Sequence, residues 1–102
     1  SDDDRLAAYV VAHMNLADCY SALYERDNAA DCLSCAHHHL LNLLTSAEAS
    51  ESLQAAAYRH LRESYAAMST FCTEHGDHPR ILAALARQSA IQSASFASAA
   101  LH

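Results

Sequence analysis

The sequence predicts an all-α protein of about four antiparallel helices. Gly and Pro each occur once in 102 residues, so the chain lacks the residues that strands and hairpin turns require. Apolar residues recur at intervals of three and four, which is the period of an amphipathic helix. At this length and 52% hydrophobic content we expect a single helical domain over residues 1–102. The chain has no initiator Met, which fits a processed chain or a fragment of a larger protein.

The first two helices are predicted to form a hairpin. The first begins within residues 2–4, whose carboxylates favour the positive end of a helix dipole. Its inward stripe is Leu6, Val10, His13, Ala17 and Tyr20, closed by Leu23 or Tyr24. After a polar break at residues 25–28, a second helix starts near Asn28, with Asn28 and Asp31 as a capping box, and ends at Thr45. Between the two helices, Leu16, Tyr20 and Leu33 are expected to fill the space beside small residues.

Two further helices follow. Thr45 and Glu48 have the spacing of a capping box, so the third helix is predicted to start there. It stops at Gly76, which suits a left-handed helix end. Its inward stripe is Leu53, Ala57, Leu61, Tyr65, Met68 and Cys72. Asp77 and Pro79 then open the fourth helix, because Pro is tolerated in a first turn.

The end of the fourth helix is unusual in composition. Residues 88–101 are largely Ala, Ser and Gln, with Ile91, Phe96 and Leu101 as the large apolar residues. Fraying is the favoured interpretation, because chain ends are commonly loose. The alternative is a face that docks another helix, either from a partner or from a second copy in a homodimer.

The predicted hairpin resembles a tetratricopeptide repeat, in which large and small residues alternate at fixed intervals over about 34 residues. The matching positions are Leu16, Ala17 and Tyr20 on the first helix and Ala29, Leu33 and Ala36 on the second. The sequence departs from the family at His13 in place of a Trp-like residue, at Leu41 in place of Pro, and at Tyr24 where Gly often makes the turn. An ordinary four-helix bundle shares the same pattern and stays open as the alternative.

The resemblance implies a non-enzymatic interaction module that binds a peptide or partner helix along the inner face of its first helix. The corresponding positions are Val11, Met14, Asp18 and Ser21. Family members that clamp a carboxylate use Asn and basic residues there, whereas Asp18 would repel a carboxylate. The alternative is that these residues form only a solvated or packed helix face.

A different function is suggested by Cys and His. Cys32, Cys35 and His39 fall at i, i+3 and i+7, along one side of the second helix, and Cys19 could supply a fourth ligand. Thiolate and imidazole ligands suit zinc or copper, so the alternative function is a metal-binding or thiol redox bundle. A free Cys is, however, among the most buried residue types and packs as a small hydrophobe. We therefore favour core thiols and expect no cofactor.

Charge and composition argue against several other classes of function. A formal charge of -6 with six dispersed Arg residues would repel nucleic acid. No apolar run approaches the ~20 residues that span a bilayer, so we expect no membrane partner. Because no disulfide is favoured among the four cysteines, we expect a cytoplasmic protein. No local motif marks a nucleophile with its base, and the single glycine, Gly76, cannot form a glycine-rich phosphate loop. We therefore expect no catalytic residues.

Overall fold

Four α-helices follow one another along the chain. The computed structural model describes residues 1–101, in which there is no β-strand. The helices are α1 (Asp2–Ala22), α2 (Arg26–Thr45), α3 (Glu51–His75) and α4 (Pro79–Ala100). The predicted all-α class with about four helices is confirmed. None of these helices carries an apolar stretch long enough to cross a membrane.

Helix α2 lies at the centre of the fold and packs against α1, α3 and α4, while α1 also packs against α3. The buried residues form two apolar clusters, and α2 contributes to both. One consists of Ala17, Ala29, Ala30, Leu33, Met68, Phe71, Ile81 and Ala84. The other consists of Leu6, Val10, Leu40, Leu41, Ala56, Ala57 and Leu61. Small residues in both clusters let the helix backbones approach closely, and the larger side chains fill the remaining space.

Three residues in and just after α1 that were expected to face inward lie at the surface. Leu16 is 47% exposed, and Leu23 and Tyr24 are 66% and 95% exposed. Leu16 directly precedes the buried Ala17, so the helical rotation turns its side chain outward. Leu23 and Tyr24 follow the last residue of α1, and Tyr24 adopts a left-handed φ of 60° in the turn toward α2. The inward stripe of α1 therefore ends with the half-buried Tyr20.

Neither of the two predicted capping boxes forms, and the start of the third helix is wrong. Helix α2 begins at Arg26, two residues before Asn28, and the expected capping box of Asn28 with Asp31 does not form. Helix α3 begins after Ser50, whose hydroxyl accepts a hydrogen bond from the backbone N–H of Leu53. The chain over residues 46–50 is a loop, and the Thr45 hydroxyl donates back to the Leu41 carbonyl within α2 instead of capping α3.

The boundary between α3 and α4 follows the sequence closely. Gly76 ends α3 with a φ of 83°, a conformation that L side chains rarely adopt. Pro79 is the first residue of α4. His78, rather than Asp77, caps that helix, because its Nδ1 accepts a hydrogen bond from the backbone N–H of Arg80. The end of α4, where fraying was expected, is helical through Ala100.

The start of α2 holds the α3–α4 loop in place. The Arg26 guanidinium donates to the backbone carbonyls of His75, Gly76 and Asp77 at 3.0, 3.2 and 2.6 Å. Beside it, the buried His78 donates from Nε2 to Asp27 at 2.8 Å. That hydrogen bond lowers the pKa of Asp27. The Arg26 hydrogen bonds satisfy backbone carbonyls that the end of α3 would otherwise leave without partners.

His37 joins three helices at the centre of the fold. Its side chain is fully buried on α2. Its Nδ1 accepts from the Ser64 hydroxyl of α3 at 2.9 Å, and its Nε2–H donates to Gln88 Oε1 of α4 at 2.6 Å. Both ring nitrogens are thus paired when the imidazole is neutral. This polar bridge fixes the positions of α3 and α4 around α2.

We predict that His37→Phe lowers the free energy of unfolding by about 1–3 kcal/mol, because the ring volume stays while Ser64 and Gln88 lose their partner. Urea denaturation measures the change. The double variant His37→Phe with Ser64→Ala should recover part of the loss, since no buried hydroxyl is then left without a partner. Unchanged stability of the single variant would contradict the bridging role of His37.

From the burial of His37 we also predict that the protein loses stability in acid. Burial lowers the pKa of His37 below its ordinary value of 6.5, and the positive charge of Arg87 acts in the same direction. The unfolded chain therefore binds a proton near pH 6.5, whereas the folded chain binds it only at lower pH. The contribution of neutral His37 to the free energy of unfolding is complete above pH 6.5 and declines as the pH falls below it. Unfolding free energies between about pH 7.5 and about pH 5 should fall more steeply for the native protein than for His37→Phe. Parallel curves would exclude His37 as the source of the pH dependence. His13→Gln is the control, because the His13 ring forms a hydrogen bond only to Tyr9, within α1.

Candidate functional site

An open groove runs between α1 and α3, with a volume of about 740 Å³. Both walls and the floor are helical, so the groove is fixed by the packing of α1 and α3 on α2. We call it the α1–α3 groove; its lining consists of Met14, Ala17, Asp18, Ser21, Ala22, Leu33, Glu63, Ala66, Ala67, Thr70, Phe71, Glu74 and His75.

The residues expected to form a binding face on α1 lie at this groove, with one exception. Met14, Asp18 and Ser21 are on the α1 wall, one helical turn apart from each other. Val11, one further turn toward the N-terminus, is 47% exposed and lies outside the lining. The structure thus brings three of the four α1 residues to one concave surface.

The floor of the groove is apolar and belongs to the core. Leu33 from α2 and Phe71 from α3 are 7% and 3% exposed and belong to the same buried cluster. Above them, the walls carry small side chains, including Ala17 on α1 and Ala66 and Ala67 on α3. Because these side chains are short, the space above the floor stays open. The half-buried Met14 adds a flexible apolar side chain to one wall.

The rim of the groove is acidic. Asp18 stands on the α1 wall, and Glu63 and Glu74 stand on the α3 wall. Glu63 accepts from His60 Nδ1 at 3.2 Å, and Glu74 lies 3.8 Å from His75 Nε2. Asp18 has no ion-pair partner among residues 1–101. The groove therefore offers apolar contact below and carboxylate acceptors above.

A smaller pocket of about 220 Å³ extends the groove toward the α1–α2 turn. It shares Ser21, Phe71 and His75 with the groove and adds Tyr24 and Arg26. The Arg26 guanidinium lies 5.8 Å from the centre of the Phe71 ring, and its donors point to the backbone of the α3–α4 loop. This end of the groove is thus built by the same contacts that hold the loop.

Sequence reasoning missed the entire α3 wall. Glu63, Ala67, Thr70 and Glu74 recur in steps of four, three and four, so they form a stripe on one helix face. That stripe lies beside the apolar core stripe and carries polar and small residues, which is also the pattern of an ordinary solvated face. Only the packing of α3 beside α1 shows that it borders a groove.

The candidate metal ligands on α2 have separate surroundings. Cys32 is half-buried and packs against the core cluster that contains Leu33. Cys35 is exposed, with its Sγ 3.9 Å from Asp31 Oδ1. The His39 ring lies 4.6 Å from the Tyr9 ring on α1. Cys19 is an exposed free thiol on α1. Within residues 1–101 no group of three or more His, Cys, Asp or Glu side chains is arranged to hold a metal ion.

The electrostatic environment of the two α2 thiols disfavours the thiolate form. Burial raises the pKa of Cys32 and Cys35, and the carboxylate of Asp31 raises both further. A thiolate, not a thiol, is both the metal ligand and the nucleophile. The half-buried Cys32 therefore resembles a packing residue, and the exposed Cys35 is biased toward its unreactive thiol form.

No curated protein and no solved structure matches the chain. The family model described as "Protein of unknown function (DUF2753)" matches residues 1–102. Because that match extends over the entire sequence, the chain belongs to the DUF2753 family of proteins of unknown function.

Proposed function

We propose that this protein is a non-enzymatic interaction module whose α1–α3 groove binds a basic amphipathic helix of a partner protein. The observation that carries this proposal is the combination of an apolar floor, made by Leu33 and Phe71, with an acidic rim. An amphipathic helix offers the complementary surface, because apolar anchors at i, i+3, i+4 and i+7 can enter a groove while its polar face stays wet.

The shape of the groove supports a helical partner. Ala17, Ala66 and Ala67 keep the walls low, so a helix can approach the floor closely. Met14 can adapt its side chain to anchors of different shape. The core packing of Leu33 and Phe71 makes the floor rigid before a partner arrives, which reduces the entropy cost of binding.

The charge of the groove supports a basic partner. Asp18, Glu63 and Glu74 flank the apolar floor, and the chain as a whole carries -6. Lys and Arg on the partner would be attracted to the rim, and acidic segments would be repelled. The resemblance to a tetratricopeptide repeat points to the same α1 face, since Met14, Asp18 and Ser21 are positions at which that family binds peptides. We place this function in the cytoplasm, because free thiols persist in a reducing compartment.

Charge reversal in the groove should weaken binding selectively. As a probe we choose a fluorescent model helix of Leu and Lys with Leu at i, i+3, i+4 and i+7. Asp18→Arg should weaken its binding on the order of tenfold in fluorescence anisotropy, because the rim then repels the probe. Glu48→Arg makes the same charge change in a loop outside the groove and should leave binding unchanged. Equal affinity of both variants would contradict the proposal, as would tight binding of a matched Leu and Glu helix.

Filling the groove should abolish binding without a change of charge. Ala66 is exposed on the α3 wall, so Ala66→Phe places a large ring in the groove without disturbing the core. The melting temperature should stay within a few degrees, because exposed substitutions rarely cost more than about 0.5 kcal/mol. Ala55→Phe is the matched control, since it adds the same ring to an exposed position of α3 outside the groove. If Ala66→Phe still binds the Leu and Lys helix like Ala55→Phe, the groove is not the binding site.

A further inference from the structure

A second open surface lies on the opposite flank of α3. A cleft of about 710 Å³ separates α3 from α4. We call it the α3–α4 cleft; it is lined by Tyr58, Arg59, Leu61, Arg62, Tyr65, Gln88 and Gln92. Tyr58 is 72% exposed and Tyr65 46% exposed, although Tyr65 was expected to face the core. Leu61, at 9%, forms the apolar base between them.

The cleft exists because α4 is packed on α2. The buried residues of α4 are Ile81 and Ala84, both near its start, and Gln88 bonds to His37 of α2. Arg87 adds hydrogen bonds to His38 and Asn42, also on α2. Over this stretch α4 follows α2, so the Tyr side chains of α3 face open space instead of a neighbouring helix.

Beyond Ile91, the end of α4 is exposed to solvent, and we call residues 92–101 the projecting segment. Residues 92–101 are all exposed, with Phe96 at 77% and Leu101 at 86%. A single helical segment of this length is only marginally stable in water unless another surface packs against it. Gln88, Gln92 and Phe96 are spaced by one turn, so Phe96 continues the face of α4 that lines the cleft. The projecting segment and the cleft thus lie on one flank of the molecule.

The distribution of acidic residues along the chain indicates which molecule can bind to this flank. The chain has twelve acidic residues, and all of them precede Pro79. Helix α4 carries only Arg80 and Arg87 as charged residues, and its projecting segment carries none. Two copies, each with a charge of -6, repel each other over most of their surface. Asp3 reaches the α3 side of this flank, where its carboxylate is paired with Arg59 at 3.0 Å, and α4 itself presents no carboxylate to a second copy.

We infer that two copies of this chain form an isologous dimer in which Phe96 of each copy enters the α3–α4 cleft of the other. In a two-fold dimer the same patch must supply both the inserted residue and its receptor, and this flank supplies both. Tyr58 and Tyr65 stand on either side of the Leu61 base, where an inserted ring would find aromatic and apolar contacts. The inference is independent of the proposed peptide binding, because the α1–α3 groove lies on the other flank of α3.

Sedimentation velocity and light scattering on the full chain test the dimer. We expect a reversible dimer at micromolar concentrations. Phe96→Ser should weaken association on the order of tenfold or more, since buried aromatic anchors dominate such interfaces. Leu16→Ser is the matched control, because it removes an exposed large apolar side chain from α1 and should leave the dimer intact.

A mixing experiment separates this arrangement from other modes of association. Tyr65→Ser removes one side of the cleft and should also yield monomers. An equimolar mixture of Phe96→Ser and Tyr65→Ser should regain part of the association, because the heterodimer retains one native Phe96 in one native cleft. A monomeric native chain, a dimer insensitive to Phe96→Ser, or a mixture no more associated than its components would each overturn the inference. Circular dichroism of each variant shows that it is folded.

Discussion

The burial of α2 among the three other helices is the constraint on which the structure depends. It contributes to both apolar clusters, and its one fully buried polar side chain, His37, must find partners on the helices around it. Ser64 and Gln88 supply them, so apolar packing fixes the distances between helices and the imidazole fixes their register. The arrangement requires a neutral ring, which couples the central packing to the protonation of one residue.

This arrangement leaves two open surfaces of different character. Because α1 and α3 both pack on α2, the α1–α3 groove opens above Leu33 with carboxylates at its rim. Because α4 follows α2 instead of α3, the α3–α4 cleft opens on the other flank, with Arg and Tyr side chains. The carboxylates of the groove favour a basic ligand, whereas the cleft offers Tyr rings and an Arg59 that is already paired with Asp3. One chain could therefore bind a basic partner with one flank and a second copy with the other.

The sequence predicts the elements of this fold better than their surfaces. Gly76 and Pro79 mark the α3–α4 boundary because each has a backbone preference that acts locally. The start of α3 was misplaced because Thr45 and Ser50 are both adequate caps, and only packing decides between them. The groove could be predicted on its α1 side alone, through Met14, Asp18 and Ser21. Its α3 wall depends on how two helices distant in sequence lie side by side, which no local pattern contains.

The central claim is that the α1–α3 groove binds a basic amphipathic helix. An NMR titration of the labelled protein with the Leu and Lys model helix tests it most directly. We expect backbone amide shifts to change along α1 from Met14 to Ser21 and along α3 from Glu63 to Glu74. The amide chemical shifts of Tyr58 and Gln92, in the α3–α4 cleft, should not change. A titration that shifts no amides, or that shifts the cleft instead of the groove, would contradict it.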